Sequence, residues 1–278
     1  MITVLLEPLD ESYRPVVDAR RADDAIGVAT VVRIETDVDT SVGDRAYYLP
    51  DGGFAGDADL PAQAIDELAD PMATLAAIGE SETLTVETDE GCIDVFVDGV
   101  RPPPELVVFG SGHDVGPVVE LATRVDFRTT VVTFRGGRAD DDRFPRADAV
   151  ISASPRELST LREWDAETYA VVMTHNFLDD RLALDQLLET PIEYIGLMGP
   201  EKRFEEMRED FAEEGRTVTD ADLERIYTPI GLSLEGDAPY QIAFSIVAEL
   251  LAVAHDRTPR HLSRRTGPIH DRTTLTEN

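Results

Sequence analysis

Two rhythms of apolar and polar positions divide this chain. Through its first hundred residues the apolar runs are short and rich in β-branched side chains. Ile26–Ile34 reads Ile-Gly-Val-Ala-Thr-Val-Val-Arg-Ile, residues 45–49 offer it a partner, and residues 83–88 and 92–97 alternate on either side of the polar turn Asp89-Glu90-Gly91, predicting a hairpin. Helical spacing precedes Ile26 and returns over residues 60–78, where Asp70-Pro71 predicts a break, because proline disfavours helix at the residue before it. The expectation is a small α+β domain over residues 1–101. Arg101-Pro102-Pro103-Pro104 then forms a stiff extended linker and a domain boundary.

Beyond the linker, continuous apolar runs of strand length alternate with amphipathic segments. Strands are predicted at residues 106–109, 130–134, 149–153, 170–174 and 194–197, with helices starting near Val115, Pro155, Leu178 and Glu201. Strands buried on both faces and separated by helices imply a parallel sheet covered on both sides. The fold class is therefore α/β, a Rossmann-like doubly wound sheet over residues 105–257. Residues 240–255 form a strongly apolar helix, suited to a core or to a homodimer interface. Residues 258–278 carry basic residues without periodicity and read as a loose tail.

Composition narrows the partners. Of 278 residues, 56 are Asp or Glu and 25 are Lys or Arg, a formal charge of −31 spread along the whole chain. Such a field repels phosphate backbones and anionic lipid surfaces, so neither nucleic acid nor membrane is an expected partner. The even acidic excess suits a salt-rich cytoplasm, where screening relieves self-repulsion. A single cysteine, Cys92, excludes an intramolecular disulfide framework and a multi-cysteine metal site. No signal peptide or spanning helix is evident, and a cytoplasmic location is expected.

The candidate chemistry lies at strand ends, because an open parallel sheet binds ligands beyond the carboxyl ends of its strands. The first such strand runs into Gly110-Ser111-Gly112-His113 and then a helix, whose free N–H groups suit a phosphate. The third glycine, Gly116, falls one residue late for the dinucleotide fingerprint. The second strand ends at Phe134-Arg135, where an NAD-binding fold would place an acidic residue for the ribose, so NAD is disfavoured while NADP or another phosphorylated ligand stays open. The fourth strand gives Thr174-His175-Asn176, and the fifth, with Gly196 and Gly199, precedes Lys202 and Arg203. Arg135, Lys202 and Arg203 are candidate phosphate counterions, and His113 and His175 could move protons or bind a metal.

With these residues set out, the chain resembles the XdhC/CoxI family of accessory proteins for molybdenum hydroxylases such as xanthine dehydrogenase and carbon monoxide dehydrogenase. The resemblance rests on Pro102-Pro103-Pro104 leading to Val108-Phe109-Gly110-Ser111-Gly112-His113, on Arg143-Phe144-Pro145-Arg146-Ala147-Asp148, and on Val172-Met173-Thr174-His175-Asn176. It continues through Tyr194-Ile195-Gly196-Leu197-Met198-Gly199, Thr228-Pro229-Ile230-Gly231-Leu232 and the apolar segment from Ile242 to Leu250. It implies a Rossmann-like second domain that binds molybdenum cofactor (molybdopterin), protects it and delivers it to the apo-hydroxylase, as a maturation factor or chaperone rather than an enzyme with turnover. The first domain departs from the family pattern. Where members carry a Ser-Gly-Gly-Cys-type segment, this chain has Gly52-Gly53-Phe54-Ala55-Gly56, without the cysteine. An NADP-linked oxidoreductase and a non-catalytic docking module are the alternative readings.

Overall fold

The structure, a computed structural model, describes residues 10–35, 38–56, 60–134, 141–264 and 266. The chain divides into two compact units, one of which ends at Pro102 and the other of which starts at Pro103.

The first unit is built on an antiparallel sheet of β1 (Ile26–Ile34), β2 (Arg45–Tyr48), β3 (Phe54–Ala55), β4 (Ser81–Thr88) and β5 (Gly91–Val100), in the order β3-β2-β1-β5-β4. The hairpin turns through Asp89-Glu90, with Thr88 opposite Gly91. The two-residue strand β3 is too short to leave a periodic signal. Alternation along the strands feeds two small cores. Val31, Ile93, Val95 and Val97 pack under helix α2 (Ala62–Ile78), while Ile26, Val28 and Tyr47 pack with Ala19 of α1 (Arg14–Ala22).

Helix α2 does not break at Asp70-Pro71; it runs through with Pro71 inside. Proline in a helix interior costs about 3 kcal/mol. That cost is offset because Ala64, Leu68, Met72, Leu75 and Ala76, on both sides of Pro71, are buried on one stripe that a break would divide. Thr74 also caps the Asp70 carbonyl with its hydroxyl, at 2.9 Å.

The second unit is a six-stranded, wholly parallel sheet. Its strands are β6 (Glu105–Phe109), β7 (Arg128–Thr133), β8 (Ala149–Ser152), β9 (Thr168–Val172), β10 (Tyr194–Leu197) and β11 (Ile226–Tyr227), in the order β11-β10-β9-β6-β7-β8. Counted from β6 as first, that order is 3-2-1-4-5-6 when read from the β8 edge, the Rossmann arrangement. Leu106 and Val108 face α3 (Val115–Thr123) and α7 (Pro239–Ala254). Val107 and Phe109 face α4 (Phe177–Leu187) and α5 (Glu201–Glu213). Burial on both faces is why these strands read as unbroken apolar runs.

The helix expected near Pro155 is reduced to a 3-10 turn, Leu158–Thr160. Leu158 is fully buried, and the Trp164 indole N–H takes its carbonyl at 2.8 Å, so a side chain occupies the acceptor that the next helical turn would need. Helix α7 packs Ala243, Ile246, Val247 and Leu250 into the core beside α3. Its Glu249 carboxylate accepts from the Tyr194 hydroxyl at 2.7 Å and from the Gly231 N–H at 2.9 Å, fixing the loop after β11. Burial, and then the neighbouring Glu249 charge, push the Tyr194 phenol well above its ordinary range, so it stays a donor. Residues 258–264 and 266 are exposed and hold one short 3-10 turn, Leu262–Arg264. No helix among the described residues is long and apolar enough to cross a membrane.

Candidate functional site

Strands β6 and β9 are neighbours in the sheet, but α3 after β6 covers one face and α4 after β9 covers the other. Where connections part in this way a crevice opens beyond the strand ends, because neither loop can close over the other. Two segments 61 residues apart in sequence meet there, and His175 Nε2 lies 2.7 Å from the Asp114 carboxylate.

The first wall is the glycine turn after β6. A Cβ on Gly110 would lie 2.7 Å from the Met173 carbonyl oxygen, so only glycine lets the turn pass this close to the end of β9. A Cβ on Gly112 would collide with Asp114 Oδ1 and reach His175 Cδ2 at 3.5 Å. Asp114 stands at the N-cap of α3 yet makes no side-chain capping bond; its carboxylate goes to His175 instead. Arg143 donates from Nη2 to the Ser111 carbonyl at 2.8 Å, and the adjoining Phe144, buried in the core, anchors the segment that brings it there.

The second wall is Thr174-His175-Asn176. Thr174 donates its backbone N–H and its hydroxyl to Asp180, at 3.0 and 2.5 Å, and its hydroxyl oxygen accepts the Asn176 N–H at 3.1 Å. Asn176 then caps α4 by accepting the Asp179 N–H at 3.0 Å. His175 between them has φ +61, left-handed backbone uncommon outside glycine, held by the bonds on either side. The walls enclose a cavity of about 170 Å³, lined by Gly110 and Ser111, by Phe134 beyond β7, by Thr174, His175 and Asn176, and by Asp179 of α4.

The remaining candidates sit elsewhere. His113 is exposed and does not line the cavity. Arg203 gives Nη2 to the buried Asp180 carboxylate at 2.6 Å, so that charge is matched inside the protein and braces the Thr174 turn from behind. Gly199, with φ +135, leaves room for the Arg203 stem, which a Cβ would meet at 2.7 Å. Lys202 is mostly exposed and pairs with Glu206 one turn on, at 3.5 Å. Gly196 is a packing glycine whose missing side chain makes room for Ile230. Arg135 lies outside the described residues. Sequence reasoning missed Asp114, Asp179, Asp180 and Arg143 as parts of the site. Asp114 is adjacent to the glycine turn, but nothing local to it points across to His175.

In the first unit, Cys92 donates its thiol to the Glu35 carboxylate at 3.2 Å, and that bond, with the negative charges around it, holds the thiol above its ordinary range. It is a weakly ionised thiol. Among the described residues no group of three or more His, Cys, Asp or Glu is placed to hold a metal ion.

The sequence pattern of the XdhC Rossmann domain matches residues 106–250, which span every strand and helix that forms the crevice. The chain belongs to the XdhC family. XdhC relatives include a probable xanthine dehydrogenase component of Bacillus subtilis (strain 168), 26% identical over 227 residues that cover 81% of this chain and 60% of the relative. An uncharacterized Escherichia coli (strain K12) protein, YqeB, is 26% identical over 170 residues, 60% of this chain and 30% of its own length. The chain thus spans about three fifths of one relative and under a third of the other. Among solved structures, a xanthine dehydrogenase from Bacillus halodurans aligns over 87% of this chain and 96% of its own, with 19% identity and a TM-score of 0.49.

Proposed function

We propose that this XdhC-family chain is an accessory factor for a molybdenum hydroxylase of the xanthine dehydrogenase type, holding molybdenum cofactor at the β6–β9 crevice and handing it to the apo-enzyme. The observation that carries the reading is the meeting of the Gly110-Ser111-Gly112 turn with Thr174-His175-Asn176 at the Rossmann switch point of a family domain whose Bacillus subtilis relative is described as part of a xanthine dehydrogenase. A polar cavity of about 170 Å³ lies below the 300–1,000 Å³ of drug-sized sites. It therefore fits the phosphate end of the pterin, with the rest of the ligand extending outward. The glycine-turn backbone, Ser111 and Asn176 would hold that phosphate; the turn precedes α3, whose N-terminal N–H groups favour anions. When bound, the cofactor supplies the redox-active molybdenum centre that the client hydroxylase uses. The chain's own residues bind, orient and shield it.

The alternative, an NADP-linked oxidoreductase, is compatible with the fold. Phe134 occupies the cavity wall beyond β7 and offers no acceptor for a ribose hydroxyl, which favours the first reading.

The test is co-purification from a host that makes molybdenum cofactor, with molybdenum and pterin assayed per chain in high salt. Near-stoichiometric pterin is expected, falling to background in Gly112→Asp, with folding followed by the fluorescence of Trp164, the sole tryptophan. A folded chain without pterin, combined with saturable NADPH binding, would replace this reading with the second.

A further inference from the structure

The cavity presents a charge problem to any anion. None of its seven lining residues is Lys or Arg, and one of them, Asp179, is a carboxylate. Asp114 adds a second carboxylate at the start of α3, and the third, Asp180 of α4, is already matched by Arg203 of α5. Arg143 reaches only the far side of the turn, at the Ser111 carbonyl. The charged and titratable groups around His175 are therefore Asp114, Asp179, Asp180, Arg203 and Arg143, with one lining group able to become positive: His175 itself. Its Nε2 is held by Asp114, and its other ring nitrogen makes no bond among the described residues. A carboxylate on one nitrogen favours the charged ring and fixes its orientation.

Resting on the proposed reading that a phosphate-bearing ligand occupies this crevice, we infer that binding is coupled to proton uptake. His175 takes up one proton as the ligand enters, and the imidazolium bridges the Asp114 carboxylate and the ligand's phosphate. The proton comes from solvent, no covalent bond is made or broken, and His175 touches the ligand while Asp114 positions His175. The consequence is a carrier that holds its cargo more tightly at lower pH and loosens as pH rises.

The experiment uses the full chain and the oxidised, fluorescent, phosphorylated pterin derived from the cofactor, with its phosphatase-treated form as control. Affinity is measured by fluorescence between pH 7 and 9, above the second phosphate ionisation near pH 6, and proton uptake by calorimetry in two buffers of different ionisation enthalpy. One coupled proton predicts an affinity that weakens up to about tenfold per pH unit once the histidine has titrated, and uptake of up to one proton. His175→Gln should bind with a flat pH profile and no uptake. Asp114→Asn should lower the affinity and move the profile to lower pH while leaving His175 in place. Phosphorylated pterin that binds with no pH dependence and no uptake in the wild type overturns the inference and leaves the cofactor-site reading standing. Failure of the folded chain to bind it at any pH overturns both.

Discussion

The two units solve the same packing problem with opposite results for chemistry. In the first, antiparallel strands joined by short turns cover two small cores, and its polar groups are taken up locally: Arg33 pairs with Asp94 at 2.7 Å, Thr85 with the same carboxylate, and Cys92 with Glu35. In the second, the parallel sheet must send its connections to both faces, and the place where they part leaves backbone and side chains facing an open crevice. A parallel doubly wound sheet thus carries a site as a consequence of its topology. In an antiparallel unit a site has to be built from side chains, and the family's Ser-Gly-Gly-Cys-type cysteine is missing from this one.

That contrast can be tested by disturbing each unit and reading both stability and the pterin bound. The largest effect is expected from Asp180→Asn in the second unit. Asp180 is 1% exposed and matches Arg203 while anchoring Thr174. Removing its charge leaves a half-buried guanidinium without its partner, at a cost of about 3–5 kcal/mol. Urea unfolding followed by Trp164 fluorescence should show it, together with loss of bound pterin; a variant as stable as wild type would remove the bracing role. Gly99→Ala in the first unit should cost less, about 1–3 kcal/mol. A Cβ there collides with the Leu75 carbonyl of α2. Circular dichroism should register the loss while pterin retention stays at the wild-type level. Weaker retention would mean that the first unit takes part in holding the cofactor. The smallest effect is expected from Cys92→Ser, within about 0.5 kcal/mol and without loss of pterin. With its pKa raised by Glu35, the wild-type thiol should label more slowly at neutral pH than free cysteine and speed up as pH rises. Fast labelling at neutral pH would reopen a thiolate role for Cys92.

Several segments that carry the family resemblance act on the scaffold. Gly196 makes room for Ile230, Gly231 lies against Ser245, and Glu249 ties the loop after β11 to Tyr194. Only the Gly110–Gly112 and Thr174–Asn176 segments reach the cavity. Arg143 holds the outside of the turn. A motif can therefore identify a family through packing as readily as through ligand contacts, and spacing alone does not separate the two.

The strand runs from Glu105–Phe109 to Tyr194–Leu197, the β4–β5 hairpin and the strand-end position of the glycine turn were legible in the chain, because each depends on neighbours a few residues apart. Other features depended on distant partners. Whether Pro71 breaks α2 was decided by a buried stripe on both sides of it, and whether Pro155 starts a helix by the Trp164 indole. Asp180 draws Arg203 to the back of the Thr174 turn, while Lys202 beside it points to solvent. The pairing of Asp114 with His175 follows from β6 and β9 lying side by side, an adjacency set by sheet order over 61 residues of chain. Local pattern determines which elements form, since it fixes what each segment must bury. Only the assembled sheet decides which loops share a crevice and which charges there are already spent on one another.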